Sequence, residues 1–287
     1  MSGGRLIIGA DGLLGGSLRR HWRERGEVVY ATTFLPLEDN AQVVKLDLEK
    51  PAAEWPALPK AQSAVICAAL TNLDFCRRNP GHSRHINVVQ TVTLAERLVE
   101  QGTFVLFISS NLVFDGTKPR RKANDSFCPM TEYGRQKAQA ETTLARFGGR
   151  VAVVRLTKVV HEGLPLLRGW RDSLTQRKPI TAFSDFVCSP IGLTPVVRAI
   201  AAIADQQAPG VWQLSGSDDI SYAAMANHLA AKWGTPASLV QSAAAATANQ
   251  SLEHLPANTT LDAVPARRTL GFEIVEPLRA LDQAFAS

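Results

Sequence analysis

Cysteine is scarce in this sequence, 4 residues in 287. Cys67, Cys76, Cys128 and Cys188 lie 9, 52 and 60 residues apart, with no CxxC pair and no histidines at zinc spacing. That excludes a disulfide-stapled scaffold and a zinc ribbon, and it points to a reducing cytoplasm. Long apolar runs are missing too. The uncharged stretch 234–252 is built from Ala, Ser, Thr and Gln, too polar to cross a bilayer. The apolar strand near the N-terminus is too short for a signal-peptide core, so no membrane partner is expected. Nor is charge of one sign concentrated. Lys and Arg number 31 against 26 acids, a net charge of +5 with a pI near 9.2, and the one dense run is Lys118, Arg120, Arg121 and Lys122. A nucleic-acid footprint would gather its cations on one face, so no nucleic-acid partner is expected, whereas an anionic small molecule suits such a surface. The six histidines show no ligand spacing, and no metal is expected.

What is present is an ordinary globular balance, 45% hydrophobic and 20% charged, in a chain long enough for one large α/β unit or one domain with a smaller partner. Residues 5–9 read as a strand, 13–24 as a helix and 27–32 as a second strand. Further strands are expected at 42–46, 63–69, 103–109 and 151–156, with helices at 82–101 and 132–147. Continuous apolar strands of this kind belong to a parallel sheet covered on both faces. The alternation selects an α/β fold, a Rossmann-type doubly wound parallel sheet. Beyond about residue 157 the pattern weakens into short strands and helices, with segments at 177–186 and 210–215, a helix at 221–233 and a terminal helix at 277–285. The expected organisation is a dinucleotide-binding domain over 1–160 and a smaller substrate-binding lobe over 161–287, interleaved with the sheet. The stretch 242–250 reads equally as loop or helix.

The first strand runs into Gly9-Ala10-Asp11-Gly12-Leu13-Leu14-Gly15, a GxxGxxG that opens a helix. The first glycine permits a tight turn, the second lets the backbone approach a pyrophosphate, and the third lets helix and strand pack closely, with the phosphate held at the helix N-terminus. An NAD site of this kind places an acid about 20 residues on, for the ribose hydroxyls. Tyr30-Ala31-Thr32-Thr33 offers hydroxyls and no carboxylate there, so NADP is favoured, with NAD as the alternative. Asp47, followed by Leu48, ends the third strand, where it could accept from an adenine amino group or simply be solvated.

Tyr133-Gly134-Arg135-Gln136-Lys137 puts a phenol and an ammonium at i and i+4 on one helix face. A lysine charge close by stabilises a phenolate and brings tyrosine nearer to working range as an acid–base group. Upstream, Ser109 and Ser110 stand at the C-terminal end of a buried strand, where open α/β sheets bind ligands.

These segments, with Ala68-Ala69-Leu70-Thr71-Asn72, Asn87-Val88 and Ser109-Ser110-Asn111-Leu112-Val113-Phe114-Asp115-Gly116, resemble the extended short-chain dehydrogenase/reductases, and among them the dTDP-4-dehydrorhamnose reductase group. The resemblance covers nearly the whole chain, strongly to about Val160 and patchily beyond. It implies that Ser110 orients a carbonyl, with Ser109 as a possible substitute, that Tyr133 moves a proton at the carbonyl oxygen, and that Lys137 holds the nicotinamide ribose. It implies a cofactor site of Gly9, Asp11, Gly12, Leu13, Leu14, Gly15, Thr32, Asp47, Leu48, Ala68, Ala69, Tyr133 and Lys137, with Asn87 supporting it.

Three positions depart from the group's pattern. Asn111 and Leu112 replace an Asp-Tyr, and Lys158 replaces a Trp. Losing two aromatics and gaining a cation on the substrate side implies a different nucleotide sugar, or one carrying an extra acidic group, with Asn111 and Lys158 as substrate-binding residues. The resemblance thus implies an NAD(P)H-dependent reductase of a keto group on a nucleotide-linked sugar. The alternatives are a nucleotide-sugar epimerase or dehydratase that retains NAD, and a non-catalytic cofactor-binding regulatory subunit. The oligomeric state is left open, a homodimer being compatible with it.

Overall fold

The expected alternation of strand and helix organises the first half of the protein. The computed structural model describes residues 3–35, 42–245 and 253–285. β1 (Arg5–Ile8) leads into α1 (Leu13–Glu24) and β2 (Val29–Thr33), then β3 (Val43–Lys45), β4 (Ser63–Ile66), α2 (Leu73–Arg78), α3 (Pro80–Arg84), α4 (Thr91–Glu100), β5 (Phe104–Ser110), α5 (Glu132–Leu144) and β6 (Val151–Leu156). The later chain adds β7 (Lys158–Val160), α6 (Pro165–Thr175), β8 (Ile180–Phe183), β9 (Val187–Cys188), β10 (Pro190–Gly192), α7 (Leu193–Gln206) and β11 (Gly210–Leu214). It ends with β12 (Ile220–Ser221), α8 (Tyr222–Lys232), β13 (Val240–Ala243), α9 (Val264–Leu270) and α10 (Pro277–Ala284).

Seven strands form the central sheet in the order β11-β6-β5-β4-β1-β2-β3. β1 pairs in parallel with β2 on one side and β4 on the other, with Ile7 opposite Ala31 and Ile8 opposite Ile66. The chain therefore reverses its direction of winding between β1 and β4, the point at which ligands collect beyond the carboxyl ends of the strands in doubly wound sheets. Both faces are covered, which is why β1, β4 and β6 are apolar and buried at nearly every position. Leu6, Ile8, Ile66, Val105 and Phe107 from the sheet pack with Leu94, Leu98, Ala140 and Leu144 from α4 and α5.

Two ends differ from the sequence expectation for a physical reason. The strand expected over 63–69 stops at Ile66, because the Cys67 and Ala68 N–H groups both turn to donate to the Ile8 carbonyl, at 2.9 and 3.0 Å. The helix expected over 82–101 is α3, a π-helical stretch at His85–Gln90 and α4 in succession, and it is preceded by α2, which the Asn72 side chain caps by accepting from Phe75 N–H at 2.8 Å.

The chain divides into two compact units, one of Met1–Val113, Pro129–Arg155 and Val197–Trp212, the other of Phe114–Cys128, Leu156–Val196 and Gln213–Ser287. The first contains the nucleotide-type core described above. The second has its own core, in which Val160, Leu167, Trp170 and Leu174 meet Ile180, Met225, Leu229 and Leu281, with three two-stranded pairings, β10-β7, β12-β9 and β13-β8. Of the stretch 242–250, Ser242 and Ala243 belong to β13 and residues 246–250 lie outside the described residues. Among the described residues no helix is long and apolar enough to cross a membrane.

Candidate active site

The three glycines of the first turn do three different things. Gly9 has φ +84, and a Cβ there would stand 2.9 Å from the Ala68 Cα and Cβ, so the turn and its contact with the strand β4 exit both require glycine. At Gly15 a Cβ would collide with the Gly9 carbonyl, which makes this residue the point of close helix–strand packing. Gly12 has ordinary extended angles, φ −76 and ψ 162, and a Cβ there would meet only the Gly9 carbonyl oxygen at 3.7 Å. The protein itself leaves room for a side chain at 12. What such a side chain would fill is the space at the N-terminus of α1, where free N–H groups and the helix dipole favour an anion. Leu13, 42% exposed, and half-buried Leu14 flank it. These residues fit a dinucleotide pyrophosphate.

The end of β2 is tied to this turn. Thr32 Oγ1 accepts from Gly9 N–H at 3.0 Å, and the Thr32 carbonyl accepts from Ala10 N–H at 3.0 Å. The Asp11 carboxylate accepts from the Thr33 hydroxyl at 2.7 Å and from Phe34 N–H at 3.2 Å. Asp47 uses one carboxylate oxygen in a local turn, accepting from Glu49 N–H at 2.9 Å, next to buried Leu48. Ala68 and Ala69 are half-buried just beyond β4.

At the end of β5 the two adjacent hydroxyls part company. Ser109 is buried and donates to Glu141 Oε1 at 2.5 Å. Ser110 is half-buried, with its oxygen accepting from Leu112 N–H at 3.2 Å and its hydroxyl 3.5 Å from Asn111 Oδ1. Ser109 is thus committed to a buried carboxylate, which leaves Ser110 as the strand-end hydroxyl outside that arrangement. Asn111 begins the short 3-10 turn Asn111–Val113.

Helix α5 supplies the phenol and the ammonium. Thr131 caps it by accepting from Gly134 N–H at 3.0 Å. The Leu112 carbonyl packs so closely on the helix that a Cβ at Gly134 would collide with it, which binds the Ser110–Leu112 turn to the first turn of α5. Tyr133 is 9% exposed and Lys137 is 3% exposed. The Lys137 ammonium donates to the Ile108 carbonyl at 2.8 Å and lies 4.4 Å from the Phe107 ring centroid and 5.6 Å from that of Tyr133. Burial pushes the Tyr133 phenol well above its ordinary range, with Cys76 adding in the same direction. Burial also lowers Lys137 to about 8, against the opposing pull of Glu141. The resting pair is therefore a protonated phenol beside an ammonium that loses its proton unusually easily.

Asn87 secures the exit of β4 to α5. Its amide oxygen accepts from Leu70 N–H at 2.8 Å, and its amide nitrogen donates to the Leu70 carbonyl at 2.9 Å and to Gln136 Oε1 at 2.7 Å. The π-helical stretch that carries Asn87 is a feature often found at functional sites.

Ser110, Tyr133, Lys137 and the glycine turn all belong to the first unit. Lys158 belongs to the second, opening β7 half-buried, with its N–H donated to the Ser189 carbonyl at 3.1 Å. Sequence reasoning missed Glu141 and the role of Gln136. Glu141 stands four residues beyond Lys137 on the same helix face, and that spacing was the available signal.

Comparison with known proteins bears on the same fold. The chain is 29% identical over 153 residues to the methionine adenosyltransferase 2 subunit beta of Xenopus tropicalis, a match covering 53% of this chain and 45% of that one. It thus spans about half the length of the curated relatives of that name. It is 25% identical over 241 residues to the dTDP-4-dehydrorhamnose reductase of Burkholderia thailandensis, covering 79% of this chain and 78% of that protein. The fold matches that of a dTDP-4-dehydrorhamnose reductase from Bacillus anthracis, solved in complex with NADP, with a TM-score of 0.84 and 18% identity over 100% of this chain and 99% of the other. The family model for the RmlD substrate binding domain matches residues 5–287, and the chain belongs to that family.

Proposed function

We propose that this protein is an NAD(P)H-dependent reductase of a keto group on a nucleotide-linked sugar, acting in a reducing cytoplasm. The observation that carries the reading is the placement of buried Tyr133 and Lys137 on α5, packed against the Ser110–Leu112 turn by the close approach at Gly134. The nicotinamide cofactor, when bound, supplies the hydride. In the turn that Gly9 and Gly15 shape, Gly12 and the first N–H groups of α1 would hold its pyrophosphate, and Lys137 would hold the nicotinamide ribose. Ser110 donates a hydrogen bond that orients the substrate carbonyl. Tyr133, kept as a phenol at rest by burial, gives its proton to the oxygen as negative charge develops there, which is general acid catalysis. The acid form is the one the reducing direction needs, although burial makes this phenol a weaker acid than a free tyrosine rather than, as the lysine spacing implied, a stronger one.

The name of the Burkholderia relative supports a keto sugar on a nucleotide carrier. Asn111 is proposed to adapt the site to its own sugar, and Lys158, in the second unit, is proposed from the sequence as a compact charge for a phosphate or carboxylate. The test is a screen of nucleotide sugars with the purified protein and NADPH or NADH, following loss of the reduced cofactor's absorbance. A second reading, a cofactor-binding subunit without turnover, is favoured by the Xenopus relative's being named a subunit. Cofactor binding with no turnover on any nucleotide sugar would select that second reading.

A further inference from the structure

We propose that Asp11, reaching from the glycine turn to the end of β2, selects the coenzyme. It would accept the adenosine ribose hydroxyls of NAD(H) and turn away the 2′-phosphate of NADP(H). The inference rests on the cofactor reading above and adds to it.

In doubly wound nucleotide sites the ribose hydroxyls are met by an acid at the end of β2, about 20 residues after the glycines. Residues 30–33 contain no acid, yet the place is not without one. The Asp11 carboxylate sits there, because both its oxygens lie 2.7 Å from the Thr33 hydroxyl and one lies 3.2 Å from Phe34 N–H. Those two donors are the ones β2 would offer to a 2′-phosphate, and a carboxylate already holds them. Thr33 is in turn fixed by Leu35 N–H, which donates to its Oγ1 at 3.0 Å. Residues 34–41 read Phe-Leu-Pro-Leu-Glu-Asp-Asn-Ala, with two acids and no Lys or Arg, so the sequence after β2 supplies no cation for a phosphate.

The opposing feature is Arg19 on α1. Its Nε is buried without a hydrogen-bond partner, and burial, with Arg23 beside it, lowers its pKa against the opposing pull of the Asp11 carboxylate. A 2′-phosphate drawn to Arg19 would come beside the Asp11 carboxylate, which remains bonded to Thr33 and Phe34. A phosphate of charge about −1.5 to −2 held near a carboxylate at the dielectric of a wet surface loses roughly tenfold or more in affinity.

The experiment measures dissociation constants for NADH and NADPH separately on the full chain, by calorimetry at low salt, for the native protein and for Asp11→Ser, Asp11→Asn and Arg19→Gln. Native protein should bind NADH at least about tenfold more tightly than NADPH. Asp11→Ser and Asp11→Asn should bring the ratio to within about threefold, chiefly by tighter NADPH binding, and Arg19→Gln should leave the ratio unmoved. Asp11 is exposed, and retained melting temperatures would show that the variants fold. NADPH binding as tightly as NADH, or an unchanged ratio in both Asp11 variants, would overturn the selection while leaving the cofactor reading intact. A native preference for NADPH that disappears in Arg19→Gln would overturn it in favour of Arg19 as phosphate anchor. Binding of neither nucleotide would overturn both readings together.

Discussion

One turn beyond Lys137, α5 carries half of an ion pair whose side chains are 3% and 2% exposed, Glu141 with Arg155. Arg155 Nε lies 3.1 Å from both carboxylate oxygens and a terminal nitrogen lies 2.7 Å from one, while Ser109 donates to the same carboxylate. Glu141→Gln preserves shape and keeps an acceptor for Ser109, but it leaves Arg155 and Lys137 as two buried cations without their shared counter-charge. Breaking a buried pair from one side costs about 3–5 kcal/mol. Arg155→Met should cost less, about 2–4 kcal/mol, because the carboxylate that remains still has the Lys137 ammonium to oppose it. Removing both charges removes the cause. E141Q/R155M should therefore cost less than the sum of the two single variants, with a coupling of about 3 kcal/mol between the sites. Urea denaturation of the four proteins measures this directly, provided the m-value stays constant. Additive single costs, or an Arg155→Met more damaging than Glu141→Gln, would refute the view that one carboxylate serves both cations.

Tyr133→Phe should lower turnover by about 10² to 10⁴, the usual contribution of general acid catalysis, while calorimetry finds cofactor affinity within a few-fold of native. Gly12→Val should fold normally and lose cofactor affinity, since its Cβ meets only the Gly9 carbonyl oxygen, at an ordinary contact distance of 3.7 Å, whereas Gly15→Ala should lower the melting temperature because its Cβ meets the Gly9 carbonyl far too closely; the reverse pattern in melting and binding would undo the assignment of the two glycines. Lys137, lowered from 10.5 to about 8 by burial, binds its proton less well folded than unfolded, so between about pH 8 and 10.5 the unfolded chain holds more protons and stability rises with pH. Cys67 and Cys188, both raised by burial, act in the opposite direction above about pH 9. The Lys137 contribution should therefore be read as the difference in stability between native protein and Lys137→Met, which should grow in favour of native protein across that window, and cofactor affinity should fall as the pH passes about 8.

The first 156 residues were legible because their signals are local. Helix α1 runs over Leu13–Glu24 as read, since a glycine turn and an amphipathic repeat set its bounds, and the apolar strands β1, β4, β5 and β6 need only their own composition. Of the late helices, α8 and α10 were read over 221–233 and 277–285, whereas α6, α7 and α9 were not. α6, α7 and α9 each carry a proline in the first turn, Pro165, Pro195 and Pro265, where the ring is tolerated and the missing N–H costs nothing. In α7 most positions are apolar, so the polar face that announces a helix is thin.

The site divides along the same line. A YxxxK spacing and a strand-end hydroxyl are visible to anyone reading the chain, but which of two neighbouring serines is free for chemistry is decided by Glu141, 32 residues downstream of Ser109. The acid missing from residues 30–33 is likewise present in space, because the 22-residue separation of Asp11 and Thr33 closes to one hydrogen bond. Gly9, Gly12 and Gly15 show the limit most sharply. They are the same letter three times in the sequence, and only the atoms around each separate a turn from a packing contact and both from a space kept open. If that open space at Gly12 is what a pyrophosphate fills, the middle glycine is the one whose replacement changes binding before it changes the fold, and stability data alone would never find it.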